Sequence, residues 1–428
     1  MAFQPEEKMM ILRTLAISLQ FLLIGQVFAE NWPGFRGPLS NGKSSEKNLP
    51  LKWSSSENVL WKIKLPGPGS SSPIIWNGKV FISQSVDKAG KERALLCLDR
   101  KNGNVLWSKT VRFDGKEPTH ATNPYCSATP ATDGERVVVS FGSAGVYCFD
   151  MDGNELWKKD FGPIIHIWGN ASSPVLFGNY VYLNIGPGKE TFLVALDKKT
   201  GRELWRTTEP GGSSSLEKGE PWIGSWSTPV VANLQGKNQL LMSWPEQVKS
   251  YDPEIGTLNW VCSGLTKLVY TSPLVEGNIM VAMSGYHGSA LATLTDGKEN
   301  VTTTHRLWHN TAKAPQRIGS GIIHDGKIFM ANAGPGIIQC MDLKTGKDLW
   351  ENQRLGANHW GSMVYSDGKL YSTDQNGDTY ILEASSTFKL LGKNSIGEHV
   401  DASLAISQGC IFIRSFQHLW CIADSTKN

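Results

Sequence analysis

The side chains best suited to ligand binding or acid–base chemistry lie in short segments that each precede an apolar, β-rich run; two of these segments read THATNPYCSATP and IIHIWGNASSP. The candidate ligand-binding residues are His120, Asn123, Tyr125, His166, Trp168, Asn170, Trp222, Trp226, Tyr270, His287, Arg317, His359, Trp360, His399 and Asp401. Trp faces stack on the apolar side of a pyranose, and His, Asn, Asp and Arg form hydrogen bonds with its hydroxyls. The set therefore predicts a polar, aromatic-walled site for a small ligand such as a glycan.

The same residues admit other interpretations. His with Asp would also bind a divalent metal or act as acid and base, but no two of these His residues have a metal-ligand spacing, so no metal is expected. The sequence offers no nucleophile motif or pair of carboxylates, and catalytic residues stay unassigned. Alternatively, the side chains satisfy loop backbones and fill a channel that would otherwise hold only water. The other His residues are expected to be structural: His305, His309, His324 and His418.

A repeated phrase shows which elements position these segments. ALDKKTGRELW ends at Trp205, and close copies end at other tryptophans of the chain. Two apolar β-rich runs joined by a Gly-containing tight turn lie between the copies, as in SPLVEGNIMVAM, and such a turn is a strong hairpin signal. Each repeat therefore predicts four short antiparallel strands, A to D, which is the pattern of a propeller blade.

Counting the repeats predicts how the ring closes. The repeat tryptophans are Trp61, Trp107, Trp157, Trp205, Trp260, Trp308 and Trp350. A seventh blade, around YILEASSTFKLL, lacks the Trp, and the last copy supplies strands A to C only. Its missing strand D is available in ENVLWKIK near the N-terminus. The predicted fold is all-β: an eight-bladed β-propeller of four-stranded antiparallel blades, closed by an N-terminal strand that pairs with the C-terminal blade.

The direction of the strands gathers the candidates on one face. If strand A runs along the central channel, the tight A–B and C–D turns share the bottom face, and the variable B–C and D–A loops share the top. The last residues of each D–A crossing then reach the channel mouth, where function concentrates on loops held by a rigid scaffold. The B–C loops add Tyr286, His287 and Arg414 to that face.

Bulk properties limit location and partners. A formal net charge of +3 is too small a basic excess for a nucleic-acid partner. The apolar run 11–29 ends in Val-Phe-Ala and is typical of a signal peptide, with an uncleaved anchor as the alternative and Met1, Met9 or Met10 as the translation start. We therefore expect a signal peptide over 1–29, an N-terminal extension over 30–56 and the propeller over 57–428. The exported protein would be a periplasmic or secreted monomer without a transmembrane span.

The seven cysteines predict no disulfide framework. Cys97, Cys148, Cys340 and Cys421 share one register of the repeat, and Ala or Ser fills that register in other copies. The register thus requires a small side chain, and buried free thiols are expected.

The motif D-x-x-T-G-x-x-L-W resembles the repeat of the PQQ-like propellers, which include quinoprotein dehydrogenases and the outer-membrane assembly factor BamB. NWPGFRGPLSNG, residues 31–42, is similar to the start of secreted members of unknown role. The dehydrogenases clamp their cofactor with a vicinal disulfide and hold Ca²⁺ with residues of long insertions. This chain has no Cys-Cys pair and no room for large insertions, so no cofactor is expected, PQQ with calcium included, and no catalytic residue is carried over.

The resemblance, which covers nearly all of residues 57–425, implies a binding or scaffold module of the cell envelope. Its partner would be a small ligand, for example a glycan, or an envelope protein. Two enzyme alternatives stay open: a quinoprotein-like dehydrogenase and a carbohydrate-active enzyme that uses the top-face His and Asp.

Overall fold

The computed structural model describes residues 30–188, 190–209 and 223–424; the predicted signal peptide, residues 1–29, and the candidate Trp222 lie outside these ranges. The described chain is an eight-bladed β-propeller, as predicted, with the blades numbered 1 to 8 in chain order. One 3-10 turn, Gly142–Ala144, interrupts an otherwise all-β structure of these residues. No helix within them is long and apolar enough to cross a membrane.

In blades 1 to 7, strands A to D follow one another in chain order. In blades 1 to 4 they are Ile74–Trp76, Lys79–Ser85, Glu92–Asp99 and Val105–Arg112; Ala131–Thr132, Arg136–Ser140, Val146–Asp150 and Glu155–Lys159; Val175–Phe177, Tyr180–Ile185, Phe192–Asp197 and Glu203–Thr208; Val230–Leu234, Lys237–Trp244, Gln247–Tyr251 and Leu258–Ser263. In blades 5 to 7 they are Leu274–Glu276, Ile279–Met283, Ala290–Leu294 and Arg306–Asn310; Ile322–His324, Lys327–Ala331, Ile337–Asp342 and Gln353–Arg354; Val364–Ser366, Lys369–Thr373, Asp378–Glu383 and Leu390–Ser395.

Blade 8 closes the ring with both ends of the chain. Its strands A to C are Ala405–Ser407, Cys410–Arg414 and His418–Ile422, and strand D is the N-terminal Val59–Lys64. Strands C and D are antiparallel, with Trp61 opposite Cys421. The predicted closure is therefore confirmed, and it leaves no open sheet edge between the last blade and the first.

Short extra strands depart from the regular pattern. Lys43–Ser44 adds a parallel strand to blade 7, and Glu299–Asn300 adds one to blade 4. Gly224–Ser225 and Leu268–Val269 form a separate two-stranded parallel sheet. Since these pairings involve residues far apart in the chain, the repeat pattern gave no signal for them.

The repeat tryptophans connect neighbouring blades. Trp61 Nε1 donates to the carbonyl of Arg100 at 2.8 Å in the C–D turn of blade 1. Gly103 in that turn has a φ of +75°, and a Cβ on it would lie 2.8 Å from the Trp61 ring. Equivalent contacts recur for Trp107 with Met151 and Gly153, Trp157 with Lys198 and Gly201, Trp205 with Pro253 and Gly256, and Trp308 with Leu343 and Gly346. The turn glycine of the repeated phrase thus makes room for the tryptophan of the preceding blade.

The hydrophobic core lies between the blades, because each inner strand is covered on both faces by its neighbours. Val138 of blade 2 packs with Val181 and Val194 of blade 3, and all three are fully buried. All seven cysteines lie within the described residues as buried free thiols, as expected. Burial raises the pKa of Cys97, Cys148 and Cys340 to about 12, so these thiols stay protonated.

Candidate functional site

A hydroxyl from every blade joins a closed ring of hydrogen bonds where the chain enters strand A. The ring residues are Ser72, Thr129, Ser173, Thr228, Ser272, Ser320, Ser362 and Ser403. The backbone N–H of each donates to the hydroxyl of the next blade at 2.9 to 3.2 Å, and Ser403 N–H closes the circuit on Ser72. Because these contacts run from blade to blade, the ring marks the innermost layer of the propeller.

The ring surrounds a central cavity of about 560 Å³, and all eight hydroxyls line it. Each hydroxyl accepts a backbone N–H, and within the described residues none of the eight O–H groups donates to another protein group. A hydroxyl has one proton to donate and two acceptor lone pairs. The ring therefore presents a belt of O–H donors to whatever fills the cavity.

A second tier of cavity residues lies two positions before the ring in each blade. These residues, in blade order, are Ser70, Ser127, Ala171, Trp226, Tyr270, Ile318, Trp360 and Asp401. Residues of both tiers line the cavity in all eight blades. The lower tier is uniformly Ser or Thr, whereas the upper tier contains six different residue types and gives the cavity its chemical character.

The polar side of the upper tier is formed by the neighbouring blades 8 and 1. Asp401 is 5% exposed; its Oδ1 accepts from His399 Nε2 at 3.0 Å and from Gln375 Nε2 at 2.9 Å. Its Oδ2 is buried without a hydrogen-bond partner among the described residues, and so is Oγ of Ser70. The hydrogen bond to Asp401 raises the pKa of His399. Equivalent upper-tier positions of adjacent blades thus each contain a buried oxygen without a partner among the described residues.

The aromatic side is formed by the crossings into blades 3 to 5. The Trp226 ring lies 5.2 Å from Tyr270 and 6.0 Å from Trp168, centroid to centroid. Trp226 Nε1 donates to the carbonyl of Gly169 at 2.8 Å, and Asn123 Nδ2 donates to the carbonyl of Trp168 at 2.6 Å. These two bonds fix the loop that carries Trp168, so the aromatic wall is held in place before any ligand binds.

The N-terminal segment crosses the channel on the other side of the Ser/Thr ring. It pairs through Trp32 with Ile75 in strand A of blade 1, and Arg36 Nη2 donates to the carbonyl of Gly321 at the start of blade 6, at 2.7 Å. Burial lowers the pKa of Arg36 to about 9. Phe35, held between these two anchors, lines the cavity. The segment 31–42, which contains Phe35 and Arg36, therefore closes the channel below the hydroxyl ring.

The cavity receives part of the predicted residue set. His120, Asn123, Trp168, Trp226, Tyr270, Trp360 and Asp401 line it, with Tyr286 from a B–C loop. The candidates Tyr125, His166, Asn170, His287, Arg317, His359 and His399 are not among the lining residues. Metal ligation gains no support, since no cluster of three or more His, Cys, Asp or Glu within the described ranges could hold an ion.

Several of the remaining candidates support the loops instead. Tyr125 donates its hydroxyl to the carbonyl of Glu117 at 2.9 Å, and its ring lies under the Arg93 guanidinium. Asn170 Nδ2 donates to Glu117 Oε1 at 3.2 Å. His166 packs edge-on against Trp226, at 4.8 Å between centroids. These contacts hold the crossings into blades 2 and 3.

The other candidates are held by polar contacts in blades 5 to 7. His359 is fully buried between the hydroxyl of Ser372 and the carbonyl of Leu355, and burial lowers its pKa. Arg317 is also buried, with a pKa lowered to about 10, and donates to the carbonyl of Gly288 at 3.0 Å. His287 Nδ1 lies 2.8 Å from the carbonyl of Ala314. Their partners are protein groups, which is the arrangement expected of structural side chains.

Sequence reasoning missed the hydroxyl ring, the small upper-tier residues and the contribution of Phe35. The signal for the first two is present in the chain: Ser or Thr recurs directly before strand A, as in Ser72-Pro73 and Thr228-Pro229. Counting two residues back from the ring residues Ser72, Thr129 and Ser320 gives Ser70, Ser127 and Ile318. Phe35 has no such register, because the segment that carries it lies outside the repeats.

Comparisons with known proteins agree with this architecture. A family model described as "Outer membrane protein assembly factor BamB" matches residues 45–159, 96–352 and 189–428. Polyvinylalcohol dehydrogenase of Sphingopyxis sp. (strain 113P3) is 22% identical over 80% of this chain, and BamB of Burkholderia pseudomallei is 22% identical over 66% of it. The chain spans 54% of the length of the former and 66% of the latter.

Two solved structures have the same fold. A quinohemoprotein alcohol dehydrogenase from Comamonas testosteroni gives a TM-score of 0.66 at 13% identity, over 92% of this chain and 80% of its own. BamB from Moraxella catarrhalis gives a TM-score of 0.58 at 14% identity, over 84% of this chain and 95% of its own. At such low identity these similarities establish the fold alone.

Proposed function

The chain belongs to the family of the outer membrane protein assembly factor BamB, and on that premise we propose that it is an exported binding or scaffold protein with a small-ligand site at the mouth of its central channel. Members of this fold include both interaction proteins and enzymes, so the argument for function depends on the site. The observation that carries the proposal is the cavity itself, with its aromatic wall and its ring of hydroxyls.

The dimensions and chemistry of the cavity suit a small polar ligand with an apolar face. A volume of about 560 Å³ lies within the usual range for ligand pockets. Trp168, Trp226 and Tyr270 would cover the apolar face of a sugar ring, and the belt of ring hydroxyls would bond its oxygens. A glycan is therefore the ligand class we favour, and an envelope protein is the partner we propose for the outer surface.

PQQ fits this cavity poorly. The cofactor is a tricarboxylate, which needs cationic donors, yet no Lys or Arg is among the described lining residues and the acidic residue there is Asp401. Cysteines for a vicinal disulfide are absent from the sequence. We therefore propose that the chain works without PQQ or calcium, which argues against the dehydrogenase alternative.

One observation keeps an enzymatic alternative in consideration. The pair formed by His399 and Asp401, at 3.0 Å, resembles the acid–base pairs of hydrolytic sites. Asp401 is among the residues that line the cavity. A carbohydrate-active enzyme is thus the second candidate, and release of reducing ends from a bound glycan would distinguish it from a binding protein.

Ligand binding is tested with a glycan and metabolite panel on the mature protein, followed by calorimetry and thermal melts. Trp360 is half-buried at the cavity, so Trp360→Ala should weaken binding and leave the melting temperature near that of the wild type. Trp260, a fully buried repeat tryptophan, is the control: Trp260→Ala should cost about 3–5 kcal/mol of stability through the space left behind. A panel without binders, or equal destabilisation by both variants, would refute the pocket.

A further inference from the structure

Two of the seven cysteines form a pair in blade 8, the blade that contains both ends of the propeller. Cys410 is the first residue of strand B, and Cys421 lies in strand C. These strands are antiparallel, with Phe412 opposite Cys421. Cys410 stands two residues before Phe412, so it is a diagonal neighbour of Cys421 on the same face of the blade. A hydrogen bond joins the two thiols, which places the two sulfur atoms in contact across the strands.

A guanidinium lies against one of these thiols. Arg100, in the C–D turn of blade 1, donates from Nη2 to Cys410 Sγ at 3.3 Å. The same nitrogen donates to the carbonyls of Ser407 and Gln408, in the turn that precedes Cys410. The hydrogen bond from Cys421 and the charge of Arg100 hold the pKa of Cys410 below its ordinary value. Because the thiolate is the nucleophilic form of cysteine, both contacts favour reaction at Cys410.

The two thiols differ in access to solvent. Cys410 follows the A–B turn on the bottom face and is 5% exposed, whereas Cys421 is fully buried. The hydrogen bond with Cys410, together with burial, raises the pKa of Cys421. Oxidation-sensitive pairs combine a more accessible thiol of low pKa with a neighbouring thiol that resolves the first product. Cys410 fits the first role and Cys421 the second, and only a small oxidant would reach Cys410.

From this geometry we infer that Cys410 and Cys421 are a peroxide-reactive pair that oxidises to a disulfide across strands B and C of blade 8. In the first step the Cys410 thiolate attacks hydrogen peroxide: an S–O bond forms, the O–O bond breaks, and the departing hydroxide takes up the proton that the thiol lost. In the second step Cys421 loses its proton and attacks the sulfenic acid of Cys410; an S–S bond forms, and the S–O bond breaks to release a second water. Two thiols and one peroxide thus give one disulfide and two waters.

Peroxide treatment of the folded protein at neutral pH, followed by alkylation in denaturant and peptide mapping without reduction, tests this inference. Trypsin cuts after Arg414, so the two cysteines fall in separate peptides, 394–414 and 415–427. We expect a disulfide between these peptides and the loss of two alkylated cysteines relative to the untreated protein. Cys148, in the same register of blade 2, is as buried as Cys421. Cys148→Ser is therefore the matched control and should leave the cross-link unchanged.

Three variants separate the two steps. Cys421→Ser should stop at the sulfenic acid, which dimedone labels on peptide 394–414, and Cys410→Ser should give neither a label nor a cross-link. Arg100→Gln should slow the cross-link roughly three- to ten-fold, because less of the thiol is ionised.

Four results would overturn the inference. They are a treated wild type that retains all of its thiols, a cross-link that involves another cysteine, a dimedone label on Cys421 in Cys410→Ser, and an Arg100→Gln variant that reacts as fast as the wild type. The wild-type map needs no substitution, so the inference is testable even if a variant does not fold. None of these results depends on the proposed ligand site, which lies in the central channel.

Discussion

The hydroxyl ring offers a direct test of what holds the blades together. In Thr228→Val the side chain keeps its shape but loses the oxygen that accepts the N–H of Ser173 at 3.0 Å. Thr228 and Ser173 are both buried, so that N–H would be left without a partner. An unsatisfied buried donor costs about 1–3 kcal/mol. We expect Thr228→Val to lower the free energy of unfolding by that amount.

Urea unfolding followed by Trp fluorescence measures this change, with the slope compared between variants to verify that the same transition is observed. Thr208→Val, on the exposed outer strand of blade 3, is the matched control and should change stability by no more than about 0.5 kcal/mol. If Thr228→Val is as stable as the control, the ring contributes nothing measurable, and the blades are held together by their cores and tryptophans alone.

Three further predictions concern the termini and acid stability. Deletion of residues 30–64 removes strand D of blade 8 and exposes the strand of Cys421, so the protein should aggregate or melt far lower; unchanged melting and solubility would exclude closure by that strand. The protein recovered from the cell envelope should begin at Glu30 by N-terminal sequencing, and an intact Met1 or Met10 would refute cleavage. Because burial holds the pKa of His359 below its ordinary 6.5, the unfolded chain binds the proton first, so stability should fall as the pH drops below about 6.5. His359→Gln should flatten that part of the pH profile, and an unchanged profile would contradict it.

The fold was predictable because several independent patterns in the repeated sequence indicate the same architecture. Hairpin turns, the Trp phrase and the incomplete last copy all indicated the same ring, and the N-terminal ENVLWKIK supplied the only strand that was missing. The extra strands Lys43–Ser44 and Glu299–Asn300 were not predictable, since each pairs with a blade to which it does not belong, through two residues only. A pairing that short leaves no periodic pattern in the sequence.

The lining of the cavity was predictable at the level of segments and not of single residues. His359 and Trp360 are adjacent in the chain, yet Trp360 lines the cavity and His359 faces Ser372. These neighbouring side chains therefore have different surroundings, which depend on their position relative to the hydroxyl ring. Trp360 stands two positions before the ring residue Ser362 and His359 stands three. Without the hydroxyl ring as a reference the sequence gave no register. The predicted set therefore included residues that line the cavity and residues that do not.

The two tiers of residues have different roles in the channel. This difference explains why the residue type is regular in the lower tier and varies in the upper tier. The lower tier makes contacts between blades, and a hydroxyl is required there in every blade because each one accepts a neighbour's N–H. Upper-tier residues such as Ser70 and Trp360 take no part in that circuit. Their side chains are therefore free to change with the ligand while the ring stays closed. In the proposed ligand site, recognition would thus be carried by positions that the closure of the fold does not constrain.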